Sequence, residues 1–372
     1  MGWRPDRGSI HVIHEPRQRV RSGVRDSDCP ASPRTKLIEL VVRSRSWGWH
    51  VVCCVVVGST RVVPMTVPRQ VLPASFYMLT RRTTQRQFLL RPDPAMNNAF
   101  LYCVAEAAQR FRLDLILPQQ MSNHHHTNLF DRFGNIIEFT EHFHKMLAKC
   151  GNSLRGRWEN FWSSESPCIL QLVDRADVLD KVVYAATNPV KDHLVENVSH
   201  WPGANVLGAL LNQRPIEVRR PRHFFRDDGP MPASVTLNLT VPAELGDRDE
   251  FLREVRERVT DVESRHARDR LQTGRRILGR RCVLRESWRN SPTSREPRRN
   301  LRPRVAARCR WRRLEALRRN LDFVQAYRTA RTAWLAGAPV PFPAGTYWLR
   351  RFVGVPVVGA PIITEPILTH HN

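Results

Sequence analysis

Lysine is the first thing this sequence lacks. Of 59 basic residues only Lys36, Lys145, Lys149, Lys181 and Lys191 are lysine, leaving 54 arginines. A GC-rich coding sequence explains arginine over lysine but not the total charge. Acidic residues are short too, 35 against 59, which leaves a net charge of +24 and a pI of about 11.1. That balance points to a polyanion partner, nucleic acid before an anionic membrane. Paired cysteines are absent. The eight cysteines, at 29, 53, 54, 103, 150, 168, 282 and 309, form no CxxC and have irregular spacings. These spacings argue against a zinc ribbon or a disulfide framework, a metal-storage or zinc-structural role lacks the cysteine pairs it would use, and the thiols read as those of a reducing cytoplasm. Long apolar runs are missing as well. The strongest, "SWGWHVVCCVVVG" (46–58), falls short of the roughly 20 residues of a spanning helix. No membrane partner is expected. There is no internal repeat and no aromatic RNP-type motif of the kind a sheet-based RNA binder would carry.

What is present begins at residue 65. The stretch before it has no helical or strand period, so residues 1–64 read as a non-native or disordered extension with Met65 as the natural start. A strand is expected over "SFYMLTRR" (75–82) and a helix over 94–113, opened by a proline and carrying Met96, Phe100, Cys103, Val104, Ala107 and Phe111 at helical spacing. Two strands follow, "LDLILPQQMS" and "HHHTNLF", paired as a hairpin. A helix over 137–150, a strand over 166–173 and a helix over 176–190 come next. The last should stop at Asn188, because the residue before a proline leaves the α region. The order β-α-β-β-α-β-α predicts an α+β domain over 65–232, a ferredoxin-like antiparallel sheet with helices on one face.

After residue 232 the composition shifts. Residues 275–319 hold 17 arginines against Glu286, Glu296 and Glu315. Amphipathic helices are expected over 247–270 and 309–335, the second with Trp311, Leu314, Leu317, Leu321 and Val324 buried. An Arg-rich helical C-terminal region should therefore run from 233 to 352, and residues 353–372 read as a flexible tail.

Two His-x-His triplets compete for a metal. Residues i and i+2 share a face on a strand but diverge by about 200° on a helix. His124 and His126 lie in a predicted strand and can address one ion, with His125 pointing away; a pair of this kind can also be plain polar surface. His142 and His144 lie in a predicted helix and diverge. A purification tag would be longer and terminal. Further on, Tyr184 and Asn188 stand at i and i+4 on one helical face. A tyrosine can be a nucleophile and an amide oxygen a metal ligand, although Tyr184 could equally cap a core.

Together, "MSNHHH" and, about 60 residues later, "YAATNPVKDHLVENVSHWP" resemble the single-tyrosine HUH transposases of the insertion-sequence-200-like class, most nearly the REP-associated tyrosine transposases of bacteria. "YMLTRRTTQRQFLL" and "RGRWENFWSSE" add to the resemblance, which spans roughly 66–210. It implies that His124 and His126 bind Mg2+ or Mn2+, that Asn188 supplies a further ligand, and that Tyr184 attacks DNA to give a 5′-phosphotyrosine. It departs from the family at His125, where a bulky hydrophobe is usual; a neutral imidazole there needs a hydrogen-bond partner. Expected contacts to single-stranded or hairpin DNA, of REP or transposon-end type, are Arg81, Arg82, Arg86, Arg155, Arg157, Arg298, Arg299, Arg302 and Arg304. The implied setting is the bacterial cytoplasm, on the nucleoid. Whether the chain forms a homodimer, and whether it is active or a catalytically inactive, domesticated DNA-binding relative, stays open at this point.

Overall fold

The structure is a computed structural model of the chain and describes residues 67–294 and 303–359. The expected extension over 1–64, the start at Met65 and residues 360–372 lie outside the described residues.

The elements run β1 (Ser75–Arg82), α1 (Pro94–Phe111), β2 (Asp114–Gln120), β3 (His124–Asp131), α2 (Ile136–Arg155), β4 (Cys168–Leu172), α3 (Arg175–Lys191), α4 (Leu207–Leu211), β5 (Ile216–Arg219), β6 (Ser234–Leu237), α5 (Arg248–Thr273), α6 (Arg280–Arg285), β7 (Val305–Ala306), α7 (Arg310–Leu335) and α8 (Trp348–Val353). The strands from β1 to β4 and the helices between them follow the sequence pattern. Sheet order is β2-β3-β1-β4-β7. The pairs β2–β3, β3–β1 and β1–β4 are antiparallel, whereas β7 joins β4 in parallel. The sheet is thus mixed, not purely antiparallel.

Helix starts follow from local chemistry. Asp93 caps α1 by accepting the Met96 amide at 2.8 Å, with Pro94 in the first turn. Asp131, at the end of β3, accepts the amides of Phe133, Gly134 and Asn135 on Oδ1 and of Ile136 on Oδ2. One carboxylate thereby closes the turn that leads into α2 and serves the first amide of the helix, which has no partner inside it. Asp174 and Asp177 form a reciprocal capping box at the start of α3.

Helices cover both faces of the sheet, which corrects the one-face expectation. On one side α1 and α2 pack Phe100, Cys103, Val104, Phe139, Phe143 and Leu147 into a core with the inward residues of β1–β3. On the other side lies α3, whose Asn188 and Lys181 carbonyl meet His126 and Asn128 of β3. The sheet's α3 face is polar where the site sits, so the pattern of buried apolar residues did not mark it as covered.

α3 runs through Pro189 to Lys191 and does not stop at Asn188. The proline removes one amide in the last turn. Backbone bonding continues past it, where Asp192 and Leu194 donate to the carbonyls of Asn188 and Pro189.

The boundary expected at 232/233 falls in the connection of the β5–β6 hairpin. Beyond it, α5 packs Phe251, Leu252, Val255 and Val259 toward α3, and Arg258 pairs with Asp180 at 2.8 Å. The described residues from 67 onward form one compact unit. Of the stripe expected to be buried on α7, only Val324 is. Trp311 is 76 % exposed and Leu321 66 %, while Ala316 and Phe323 are buried instead. Periodicity supplied an apolar face, but among the described residues nothing covers its N-terminal half. The expected flexible tail is also shorter at its start. Residue 353 closes α8, and Phe342 exchanges backbone bonds with Pro356 and Val358 at 2.8 Å.

Candidate metal and nucleophile site

β3 presents His124 and His126 to one side and His125 to the other, as period-two alternation requires. The first two rings stand 4.8 Å apart by centroid, at 78°. Each Nδ1 is held. His124 Nδ1 lies 2.7 Å from Asn123 Oδ1, which can only accept, so the lone pair falls on His124 Nε2. His126 Nδ1 lies 2.8 Å from Thr80 Oγ1, its neighbour across the β1–β3 register. Asn188 Nδ2 is 3.2 Å from His126 Nε2 and can only donate to it, so His126 carries its lone pair on Nε2 as well. Partners on Nδ1 that fix tautomer and ring orientation are what a metal-binding imidazole requires. Burial, then the neighbouring histidines and cations, hold the His126 pKa well below its ordinary value, so this ring is neutral at pH 7.

α3 brings the other half. Asn188 is buried and its Oδ1 meets no partner. An unpartnered buried oxygen costs stability unless something occupies it, and a turn of the amide places that oxygen toward His126 Nε2. Residues His124, His126 and Asn188 therefore fit a divalent cation that takes mixed nitrogen and oxygen ligands. One turn earlier, the Tyr184 ring sits 5.3 Å from the His126 ring within the same chain, half exposed.

Sequence reasoning missed three groups here. Lys181 and Lys191 place their ammonium groups 5.5 and 4.7 Å from the centroid of the Tyr184 ring. The signal was available: 181, 184, 188 and 191 follow the 3-4-3 spacing of one helical stripe. Gln119 was not foreseeable. It lies opposite His126 on β2, fully buried, and neither atom of its amide has a partner.

The other triplet behaves as its helix dictates. His142 Nε2 bonds Glu106 Oε2 at 2.7 Å, and His144 turns inward to His125, Nε2 to Nε2 at 2.9 Å. That bond, with Thr127 Oγ1 at 3.1 Å from its Nδ1, is how the anomalous His125 is accommodated at 0 % exposure.

The expected DNA-contacting arginines divide. Arg82 is exposed at the end of β1, opposite His124 and on its face. Arg81 lies on the His125 face, half-buried over the Trp162 ring at 5.3 Å, and burial lowers its pKa to about 10. Arg86 bonds the backbone and side chain of Ser294. Arg157 is half-buried and reaches Gln87 Oε1 at 3.4 Å. Arg155 and Arg304 correct the expectation outright. Arg155 is buried against Asp93 Oδ2 at 2.7 Å and the carbonyls of Leu89 and Arg91, and Arg304 ties the carbonyls of Val67 and Pro68. Both forks are committed to the fold, where their donors satisfy buried acceptors. Arg298, Arg299 and Arg302 lie outside the described residues. A pocket of about 420 Å³ between α1, β2 and β6 holds none of the site residues.

A solved structure resembles part of the chain. It is described as the REP-associated tyrosine transposase bound to a REP hairpin, at 16 % identity and a TM-score of 0.32, covering 37 % of this chain and 81 % of that one. No family model matches the chain, and no curated protein does. A likeness this slight carries no argument about activity; the side-chain arrangement does.

Proposed function

We propose that this chain is a metal-dependent strand transferase for single-stranded or hairpin DNA, a transposase-type enzyme of ferredoxin-like fold with Tyr184 as nucleophile. The observation that carries the reading is the meeting of His124, His126, Asn188 and Tyr184 at one place, with Asn188 Oδ1 buried and unpartnered beside His126. The strand order β2-β3-β1-β4 with α1 and α2 on one face supports the fold reading.

His124, His126 and Asn188 would hold Mg2+ or Mn2+. Such an ion, when bound, neutralises charge developing on the scissile phosphate. Lys181 and Lys191, flanking the Tyr184 ring, would place positive charge where the scissile phosphate has to approach. The Tyr184 oxygen forms a bond to phosphorus, the bond from phosphorus to the 3′ oxygen breaks, and that oxygen takes up a proton. The products are a 5′-phosphotyrosine and a free 3′-hydroxyl. Because the phosphodiester energy is kept, a second 3′-hydroxyl can reverse the attack without ATP. Arg82, on the site's face, is the arginine best placed to hold the DNA backbone. The net charge of +24 serves the same partner.

The test is an incubation of labelled hairpin DNA with the protein and Mg2+ or Mn2+, followed by a denaturing gel. A covalent adduct is expected, lost in Tyr184→Phe and without metal. An adduct that survives Tyr184→Phe rejects the nucleophile. Binding with no adduct on any substrate favours the catalytically inactive, DNA-binding reading.

A further inference from the structure

A second cluster of metal-ligating side chains lies just beyond the C-terminal end of α3. His193 follows Asp192, the residue that caps the helix, five residues after Asn188, with its backbone at φ +53°. Non-glycine residues adopt that left-handed conformation at a cost, so the surrounding structure has to hold it there. From α5 come His266 and Asp269, three residues apart and therefore on one face. One ligand atom from each of the three lies within 4.8 Å of the others. The two rings stand 5.6 Å apart by centroid, at 73°.

An independent observation points to a ligand. His193 is 7 % exposed, and its Nδ1 meets no hydrogen-bond partner; the Nδ1 of His266 is buried and unpartnered as well. Two buried imidazole nitrogens left without partners in one place are costly, and a shared ion would answer both. We infer that His193, His266 and Asp269 form a second metal site, distinct from the His124–His126 pair, that takes a zinc-like transition ion.

The chemistry favours that class over Mg2+. Two imidazoles and one carboxylate form a borderline-soft set suited to Zn2+ or Co2+. Burial first, and neighbouring cations with it, keep both rings below their usual pKa, so both are neutral and able to coordinate. Arg270, Arg275, Arg265 and Lys191 around the cluster repel any dication, and an ion held mainly by charge, such as Mg2+ or Ca2+, would lose most. Zinc coordination brings ligand atoms to about 3.3 Å from one another. Asp269 is exposed, so its side chain can close that distance. Bound there, the ion would clip the end of the helix that carries Tyr184 and Asn188 to α5. Backbone bonds already join the end of α3 to the segment that follows α5, since Leu278 and Gly279 donate to the carbonyls of His193 and Leu194 at 2.9 and 3.0 Å.

The experiment uses the full chain carrying His124→Ala and His126→Ala, so that the other site cannot contribute. After equilibrium dialysis against Zn2+, one retained equivalent is expected, and Co2+ in its place should give visible ligand-field bands. Asp269→Asn, at an exposed position that leaves the fold intact by circular dichroism, should weaken retention about tenfold or more, and His266→Gln likewise. In hydrogen exchange, Zn2+ should slow the amides around Leu194 and Gly279. No zinc retained, retention in both variants unchanged from the parent protein, or protection by inorganic phosphate in place of zinc would each overturn the site. None of these outcomes touches the Tyr184 adduct, which is read on the chain with His124 and His126 intact.

Discussion

Replacing His125 and His144 together by leucine should flatten the acid side of this protein's stability curve. The two rings face each other inside the α1–α2 core at 0 and 1 % exposure, 2.9 Å apart, against Phe100, Phe143 and Trp162. The two nitrogens of that contact cannot both donate, so one ring donates Nε2–H to the other. With His144 as donor, His125 Nδ1–H is left for Thr127 Oγ1, and the unpartnered His144 Nδ1 is an acceptor. Burial, then the charges of His124 and Arg81, drive the His125 pKa down to about 3, and His144 is pushed well below its ordinary value by burial and by His125. The unfolded chain takes up these protons near pH 6.5, while the folded chain refuses them until about pH 3 for His125. Between those values the unfolded state binds more protons, so stability is intact above about 6.5 and falls as the pH drops. At about 1.4 kcal/mol per pH unit per proton, one imidazole removes about 3 kcal/mol by pH 4.5, and the coupled pair up to about 5. Leucine has similar volume and no proton to refuse, so the double variant should stay within about 2 kcal/mol of the wild type at pH 7.5. Urea unfolding of both proteins at pH 7.5 and 4.5 measures the difference. Equal losses on acidification in the two proteins would refute a neutral buried pair.

Asn188→Ala should weaken Mn2+ binding and slow adduct formation about 10- to 100-fold without lowering the melting temperature, read by calorimetric titration and the gel assay. Arg155→Ala should cost about 3 kcal/mol of unfolding free energy by taking the nearer of two arginines from Asp93 Oδ2 and the side-chain donor from the Leu89 and Arg91 carbonyls. Arg82→Ala, in contrast, should leave the melt unchanged and weaken single-stranded DNA binding in a salt-dependent way, read by fluorescence anisotropy. Gly151→Ala should destabilise by about 1–3 kcal/mol in thermal melts, because a Cβ there would meet the Phe161 ring at 2.4 Å.

The chain by itself determined which residues share a face. Period-two alternation put His124 and His126 together and turned His125 away, and helical spacing put Tyr184 beside Asn188; each pair stands that way in the fold. Local chemistry also marked the strands from β1 to β4 and the start of α1 at Asp93-Pro94. What each face meets was not in the local pattern, because it depends on segments tens to hundreds of residues away. The polar face of β3 gave no apolar signal that α3 would cover it. Arg155 and Arg82 look alike in sequence, yet one is buried on Asp93, 62 residues back, and the other is exposed beside His124. Arg304 reads as part of a basic run until Val67 and Pro68 are seen to take its donors, 237 and 236 residues away. The α7 stripe has the same cause in reverse: its apolar period was legible, but burial requires a second surface, and only the folded chain decides whether one arrives.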